Sequence, residues 1–296
     1  MPYATNANAR IYYETMGDRA APALLLIGGF SAQISGWETG FCRLLVERGF
    51  QVIRFDNRDV GLSTQFDGTG GNEPGYTVHD MAGDGLAVLD ALVLRHAHVV
   101  GQSMGGMIAQ AMASAHPERV TSLTLVYTAP SITVGFLPPL ADVPQMDLGP
   151  RSRQKFIDEM IVGSRKHSSS TYPIDEAWVR TVAEQGYDRA YTPEGVARQL
   201  RAMLADLGAP FADAARLTMP VVLIHGLDDT QVHVSGSLEL ARRLPHAEVH
   251  LYAGMRHYFP EPLWRECCDI VTRTARRADL EAAGARLAHA LESHLP

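Results

Sequence analysis

The chain has 296 residues, 46% of them hydrophobic and 20% charged, and a formal net charge of -7. That length and apolar content suit one large core, with or without a lid, rather than two equal domains. There is no block of like charge and no basic stripe, which sets nucleic acid aside as a partner and makes the acidity mainly a matter of solubility.

From the N-terminus, no basic segment precedes an apolar one, so no leader is read there, and the apolar run 21–27 is far too short to span a bilayer. Strands are predicted over 10–14, rich in Ile and Tyr, and over 23–27, a continuous apolar run suited to a strand covered on both faces. A loop, Ile-Gly-Gly-Phe-Ser-Ala-Gln, follows, then a helix over 38–47 with Phe41, Leu44 and Leu45 on one face. Next come a strand over 51–55, a Gly- and Asp-rich loop over 56–72, a helix over 77–94, a strand over 98–100, a helix over 104–115 and a strand over 120–127. Alternation of this kind implies a mostly parallel, doubly wound α/β sheet with helices on both faces. The alternation then stops. Residues 130–217 hold no clear buried strand; they contain Pro138, Pro139, Pro144, Pro150 and Pro173 and helical patterns over 154–162 and 193–207. A stretch of that length is expected to be an inserted helical cap, which divides the chain into core 1–129, cap 130–217 and core 218–296. A strand over 220–225, a helix over 237–243, a strand over 249–252 and a helix over about 261–291 complete the chain.

Gly101-Gln102-Ser103-Met104-Gly105, directly after a predicted strand, fits G-x-S-x-G, a serine on a strained strand-to-helix turn. A serine hydroxyl is a weak nucleophile near neutral pH and needs a base, and the base needs a carboxylate to fix its tautomer. In parallel sheets chemistry collects at the carboxyl ends of strands, so the partners are sought after later strands. Asp228 and Asp229 follow the strand over 220–225, and His257 follows the strand over 249–252. Histidine is the usual base near pH 7. The order serine, aspartate, histidine is the one found in hydrolases of this topology.

On these residues the chain resembles the α/β-hydrolase fold family, over nearly its whole length except the cap. Gly-Gln-Ser-Met-Gly-Gly is similar to the family's nucleophile elbow, and His-Gly-Leu-Asp-Asp-Thr to its acid loop, in which the acid stands three residues after the glycine. That spacing from Gly226 selects Asp229 over Asp228. Gly-Met-Arg-His is similar to the histidine loop, and residues 56–63 resemble its D-x-R-x-x-G-x-S loop. The strand over 120–127 ends without an acid, so the alternative acid position of some members is empty. Where many members carry His-Gly before the oxyanion residue, this chain has Gly28-Gly29-Phe30. The resemblance implies backbone N–H donors from Phe30 and Met104.

What the resemblance implies is a cofactor-independent serine hydrolase of a carboxylic ester, with no metal. The elbow serine disfavours the dehalogenase and epoxide-hydrolase branches, which use aspartate there. The loops are most similar to bacterial hydrolases of polyketide-type esters, including anthracycline methylesterases and macrolide esterases. The substrate they point to is the lactone of a macrolide antibiotic, whose opening would inactivate it. Another small-metabolite ester, a thioester, a peptide, perhydrolysis and carbon–carbon cleavage remain open, as does a non-catalytic ligand receptor. The expected partner is a small-molecule ester or lactone, with no nucleic acid or membrane, in a monomer or homodimer. Cys42, Cys267 and Cys268 form no disulfide or zinc spacing, which suits a reducing, cytoplasmic setting. Asp56 and Arg58 are read as an internal ion pair or loop brace, the other histidines as structural, and Trp37, Phe136, Tyr172, Trp178, Tyr187 and Tyr191 as mostly core, with a few free to line a pocket.

Overall fold

The structure, a computed structural model, describes residues 2–66, 75–136, 148–205 and 207–292, without the side chains of 282 and 285–292. In chain order the elements are β1 (Tyr3–Asn6), β2 (Ala9–Met16), β3 (Ala23–Ile27), α1 (Thr39–Glu47), β4 (Gln51–Phe55), α2 (Val78–Ala91), β5 (Ala97–Gln102), α3 (Met104–Ala115) and β6 (Val120–Val126). Three helices follow, α4 (Arg153–Ser164), α5 (Glu176–Arg189) and α6 (Pro193–Leu204), then β7 (Val221–Gly226), α7 (Ser235–Arg243), β8 (Glu248–Tyr252) and α8 (Trp264–Glu292).

The strands form one eight-stranded sheet in the order β1-β2-β4-β3-β5-β6-β7-β8. The β1 and β2 pairings are antiparallel, and every pairing from β4 through β8 is parallel. The apolar runs are explained by this: a side chain on either face meets a helix. Leu25, Ile27, Val99, Leu123 and Leu223 pack with residues of α2 and α3. Their neighbours Leu24, Leu26, Val100 and Val222 pack on the opposite face with residues of α1 and α8. Among the described residues no helix is long and apolar enough to cross a membrane.

Most predicted elements are present, with ends differing by at most three residues. Thr77 caps α2 in a capping box with Asp80, and α2 stops ahead of Val93, whose φ of +58° no helix accepts. The helix expected from residue 261 begins at Trp264, because Glu261–Leu263, preceded by Pro260 and containing Pro262, forms a separate tight turn. Two elements were not anticipated. β1 has four residues and buries only Ala4. α5 buries only Val179 and Ala183, too narrow a stripe to stand out in a polar segment. Pro138, Pro139, Pro144 and Asn72 lie outside the described residues.

The sheet order reverses around β3. The chain goes from β3 to β4 on one side and later returns to β5 on the other, so the loops after β3 and β5 leave adjacent strand ends. Ile27 is in register with Gly101, which brings Gly28 to the carbonyl edge beside Ser103. Such a reversal opens a crevice where ligands bind.

Candidate active site

Ser103 occupies the single residue between β5 and α3, with φ +53° and ψ -123°. A non-glycine residue there is uncommon and holds its place only because its surroundings over-determine it. The turn is pinned by Ser103 N–H donating to Val126 O at 2.9 Å and by the Thr128 hydroxyl donating to Ser103 O at 2.8 Å. Gly105 cannot be larger: a Cβ there would lie 2.2 Å from Ile27 O, at the end of β3, and 2.6 Å from Gly28 O, in the loop that follows. The elbow and that loop are therefore in backbone contact.

Asp229 and His257 follow β7 and β8, whose loops are equally close; a Cβ on Gly226 would lie 2.1 Å from Met255 O. All three predicted residues meet. Ser103 Oγ is 3.0 Å from His257 Nε2, and His257 Nδ1 is 2.7 Å from Asp229 Oδ2. The other carboxylate oxygen, Oδ1, accepts Gln231 N–H at 2.8 Å and Val232 N–H at 2.9 Å. Burial alone would push this carboxyl up, but hydrogen bonds from His225 and His257 and from the Gln231 amide hold it well below the usual carboxylate range. An ionised Asp229 puts the ring proton of His257 on Nδ1 and leaves the Nε2 lone pair facing the serine hydroxyl. His225 has a different task. It bonds Ser237 Oγ at 2.7 Å and Val232 O at 2.9 Å, so it braces the acid loop as a structural histidine. Asp228 is exposed and accepts only Gly254 N–H, at 2.6 Å, among its described hydrogen bonds.

Gly28-Gly29-Phe30 runs alongside, with Gly29 against Ser103 and Gln102. Neither the Phe30 nor the Met104 amide donates to a backbone carbonyl among the described loop and turn hydrogen bonds, so both can serve an anionic oxygen. Side chains brace this glycine loop. Asn57 Nδ2 donates to Gly28 O at 3.0 Å, and Asp56 accepts Ile34 N–H at 2.6 Å. Gln199, fully buried on α6, accepts Ser31 N–H at 3.0 Å and donates to Arg58 O at 2.8 Å. Gln33 donates to the α5 carbonyl of Gly186 and to Ala190 O, both at 2.7 Å. Asp56 and Arg58 are braces, as expected, though not with each other: Asp56 pairs with Arg189 at 2.7 Å and Arg58 with Asp84 at 2.6 Å.

Sequence reasoning missed Gln199, Gln33, Asn57 and Tyr127. Tyr127 packs its ring 4.6 Å from the His257 ring and donates to Gln102 Oε1 at 2.7 Å. The one usable signal was Gln199, a polar residue beside Leu200, Ala202 and Met203 in the buried stripe of α6.

A cavity of about 690 Å³ opens at Ser103, with Phe30, Met107, Phe136, Leu200 and Met203 on its apolar side. This is an ordinary size for a small-molecule site. Of the six aromatic residues read as mostly core, only Trp37 is buried; the rest are half-buried, and Phe136 lines this cavity while Trp178 lines two smaller ones beside His257. Among the described residues no group of three His, Cys, Asp or Glu side chains is placed to hold a metal ion.

Glu38 lines one of the smaller cavities with His257. Burial, then the charge of Glu261, pushes its carboxyl from 4.5 up to about 7, against a hydrogen bond from Trp178. The folded chain thus keeps this proton to higher pH than the unfolded chain, and stability falls as pH rises between those two values and levels off above. Glu38→Gln is expected to raise Tm at about pH 8 and change it much less at about pH 5. Thermal melts at the two pH values check this, and an equal shift at both would contradict it.

The α/β hydrolase fold family matches residues 22–261. The chain belongs to this family. Among curated relatives, the rhodomycin D methylesterase of Streptomyces peucetius is 31% identical over 288 residues, covering 89% of this chain and 95% of its own. The 2-hydroxymuconate semialdehyde hydrolase of Pseudomonas putida is 29% identical over 248 residues, covering 80% of each chain. Among solved structures, the enol-lactonase of Burkholderia xenovorans LB400 superposes with a TM-score of 0.69 at 23% identity, covering 94% of this α/β hydrolase and 99% of that chain. That likeness speaks to the fold.

Proposed function

We propose that this α/β hydrolase is a cofactor-independent carboxylic ester hydrolase acting through Ser103, His257 and Asp229. The observation that carries the reading is the continuous path from Ser103 Oγ through His257 to an ionised, buried Asp229. Ser103 attacks the acyl carbon while His257 Nε2 takes its proton and passes it to the leaving alcohol. The amides of Phe30 and Met104 receive the charge that develops on the carbonyl oxygen. Water, activated by the same histidine, then releases the acyl group. In this reading residues 130–217 form a cap over a core of 1–129 and 218–296. The protein works on a small molecule as a monomer or homodimer in the cytoplasm, without nucleic acid or membrane. The free, buried thiols of Cys42, Cys267 and Cys268 suit that setting.

For the substrate we favour a bulky polyketide-type ester, either a methyl ester or the lactone of a macrolide antibiotic. The methylesterase relative and the largely apolar cavity support that class. A mass-spectrometric screen of p-nitrophenyl esters, polyketide methyl esters and 14- and 16-membered macrolides tests it. A macrolide that gains one water without splitting assigns lactone opening and an antibiotic-inactivating role; gain of one water with release of methanol, leaving the free acid, assigns methylesterase activity. Cleavage of short esters alone removes the polyketide class. A second reading, carbon–carbon hydrolysis, is favoured by the semialdehyde hydrolase relative. It takes first place if every ester in the screen stays intact.

A further inference from the structure

The cavity at Ser103 has two unlike walls. Besides the apolar side chains its lining holds Lys166, His167 and Arg256, and no carboxylate lines it among the described residues. Two N–H donors in this wall are buried and have no hydrogen-bond partner: His167 Nδ1 and Arg256 Nε. Folded proteins leave few such donors, because each unmet one costs about 1–3 kcal/mol. A pair on one cavity wall therefore calls for an acceptor that arrives with a ligand.

The geometry supports two donors side by side. Arg256 is held by donation from a terminal guanidinium nitrogen to Lys166 O at 3.1 Å, one residue from His167. The Gln231 amide nitrogen donates to His167 Nε2 at 2.9 Å, which assigns the ring proton to Nδ1. Burial, then the neighbouring His257, brings the His167 imidazole down to about 4, so near neutral pH it is an uncharged donor. Arg256 supplies the charge; no salt bridge to it occurs among the described residues. The wall is thus locally cationic in a chain whose net charge is -7.

We propose that this wall is an anion subsite of the substrate cavity, which receives a carboxylate carried by the substrate away from the scissile ester on Arg256 and the His167 Nδ1–H. Lys166 adds positive charge at its edge. A carboxylate has lone pairs enough to take both donors, and such charge-assisted bonds are about twice as strong as neutral ones. The substrate class becomes an ester with an apolar body and a free acid group. This rests on the ester-hydrolase reading above, and the test keeps the two separable.

In the first arm, Ser103→Ala protein is titrated calorimetrically with 4-phenylbutyrate and with 4-phenylbutanamide. The carboxylate is expected to bind about ten-fold more tightly, with the gap closing as salt is raised. Adding Arg256→Gln should abolish the gap, Arg256→Lys should restore part of it, and His167→Phe should narrow it. A gap that survives Arg256→Gln would place the carboxylate at the Phe30 and Met104 amides and overturn the proposal. So would the absence of any gap in the parent protein. In the second arm, kcat/KM is compared for 4-nitrophenyl hydrogen adipate and 4-nitrophenyl hexanoate within each protein, so that any general effect on His257 cancels in the ratio. Hydrolysis of both esters with a ratio indifferent to Arg256 would sink the subsite and keep the hydrolase. Binding that depends on Arg256, with neither ester cleaved, would keep the subsite and sink the hydrolase.

Discussion

Replacing Ser103 with alanine should lower kcat by up to about 10⁶ while leaving the fold intact. The size of the effect follows from the proposed mechanism, in which the three residues act as one unit: without Oγ, the lone pair that Asp229 prepares on His257 has no proton to take. Stability should barely change. The Ser103 side chain has one described hydrogen bond, to His257 Nε2, and the turn is held by backbone contacts and by Thr128. Initial rates on a p-nitrophenyl ester, read beside a thermal melt, check both halves. Labelling by a fluorophosphonate should vanish in the same variant. A loss of only several-fold would mean that Ser103 is not the nucleophile, and an unlabelled wild type would favour a receptor built on this fold.

Asp229→Asn should cost on the order of 10⁴ in kcat, far more than Asp228→Asn. The carboxamide is almost isosteric, and its oxygen can keep accepting the amides of Gln231 and Val232. Its nitrogen then faces His257 Nδ1. Two donors cannot meet, so the ring moves its proton to Nε2, where it can no longer accept from Ser103. Asp228 is exposed, and an amide oxygen in its place can still accept Gly254 N–H. Its variant should stay within several-fold of wild type. Paired kinetics on the two variants decide between the acids, and the reverse order would assign the role to Asp228.

Much of this was legible in the amino-acid order because strands buried on both faces leave apolar runs, and Ser103 and Asp229 stand just after two of them, while His257 follows the short, half-exposed edge strand β8. Ser103, Asp229 and His257 could be placed by counting strand ends. The bracing residues could not. Gln199 reaches Ser31, and Gln33 reaches Gly186, across more than 150 positions of sequence, and neither contact leaves a periodic trace. The Gly-Gly substitution before Phe30 was visible, but not its compensation: support for the loop comes from Asn57, Asp56 and Gln199. The short β1 and the polar α5 escaped because each buries only one or two side chains.

Gln199 sits between two duties. Its own amide holds Ser31, next to the Phe30 amide, while its helix neighbours Leu200 and Met203 form part of the cavity wall. Arg198, also its neighbour, is tied to Asp59 by an ion pair of 2.7 Å. A molecule too large for that wall cannot move α6 without also moving an amide that, in the proposed mechanism, meets the developing negative charge. Discrimination against oversized substrates should therefore be expressed in kcat, with KM changing little: the wrong molecule can still bind, but it binds to a site that has lost part of its hold on the transition state.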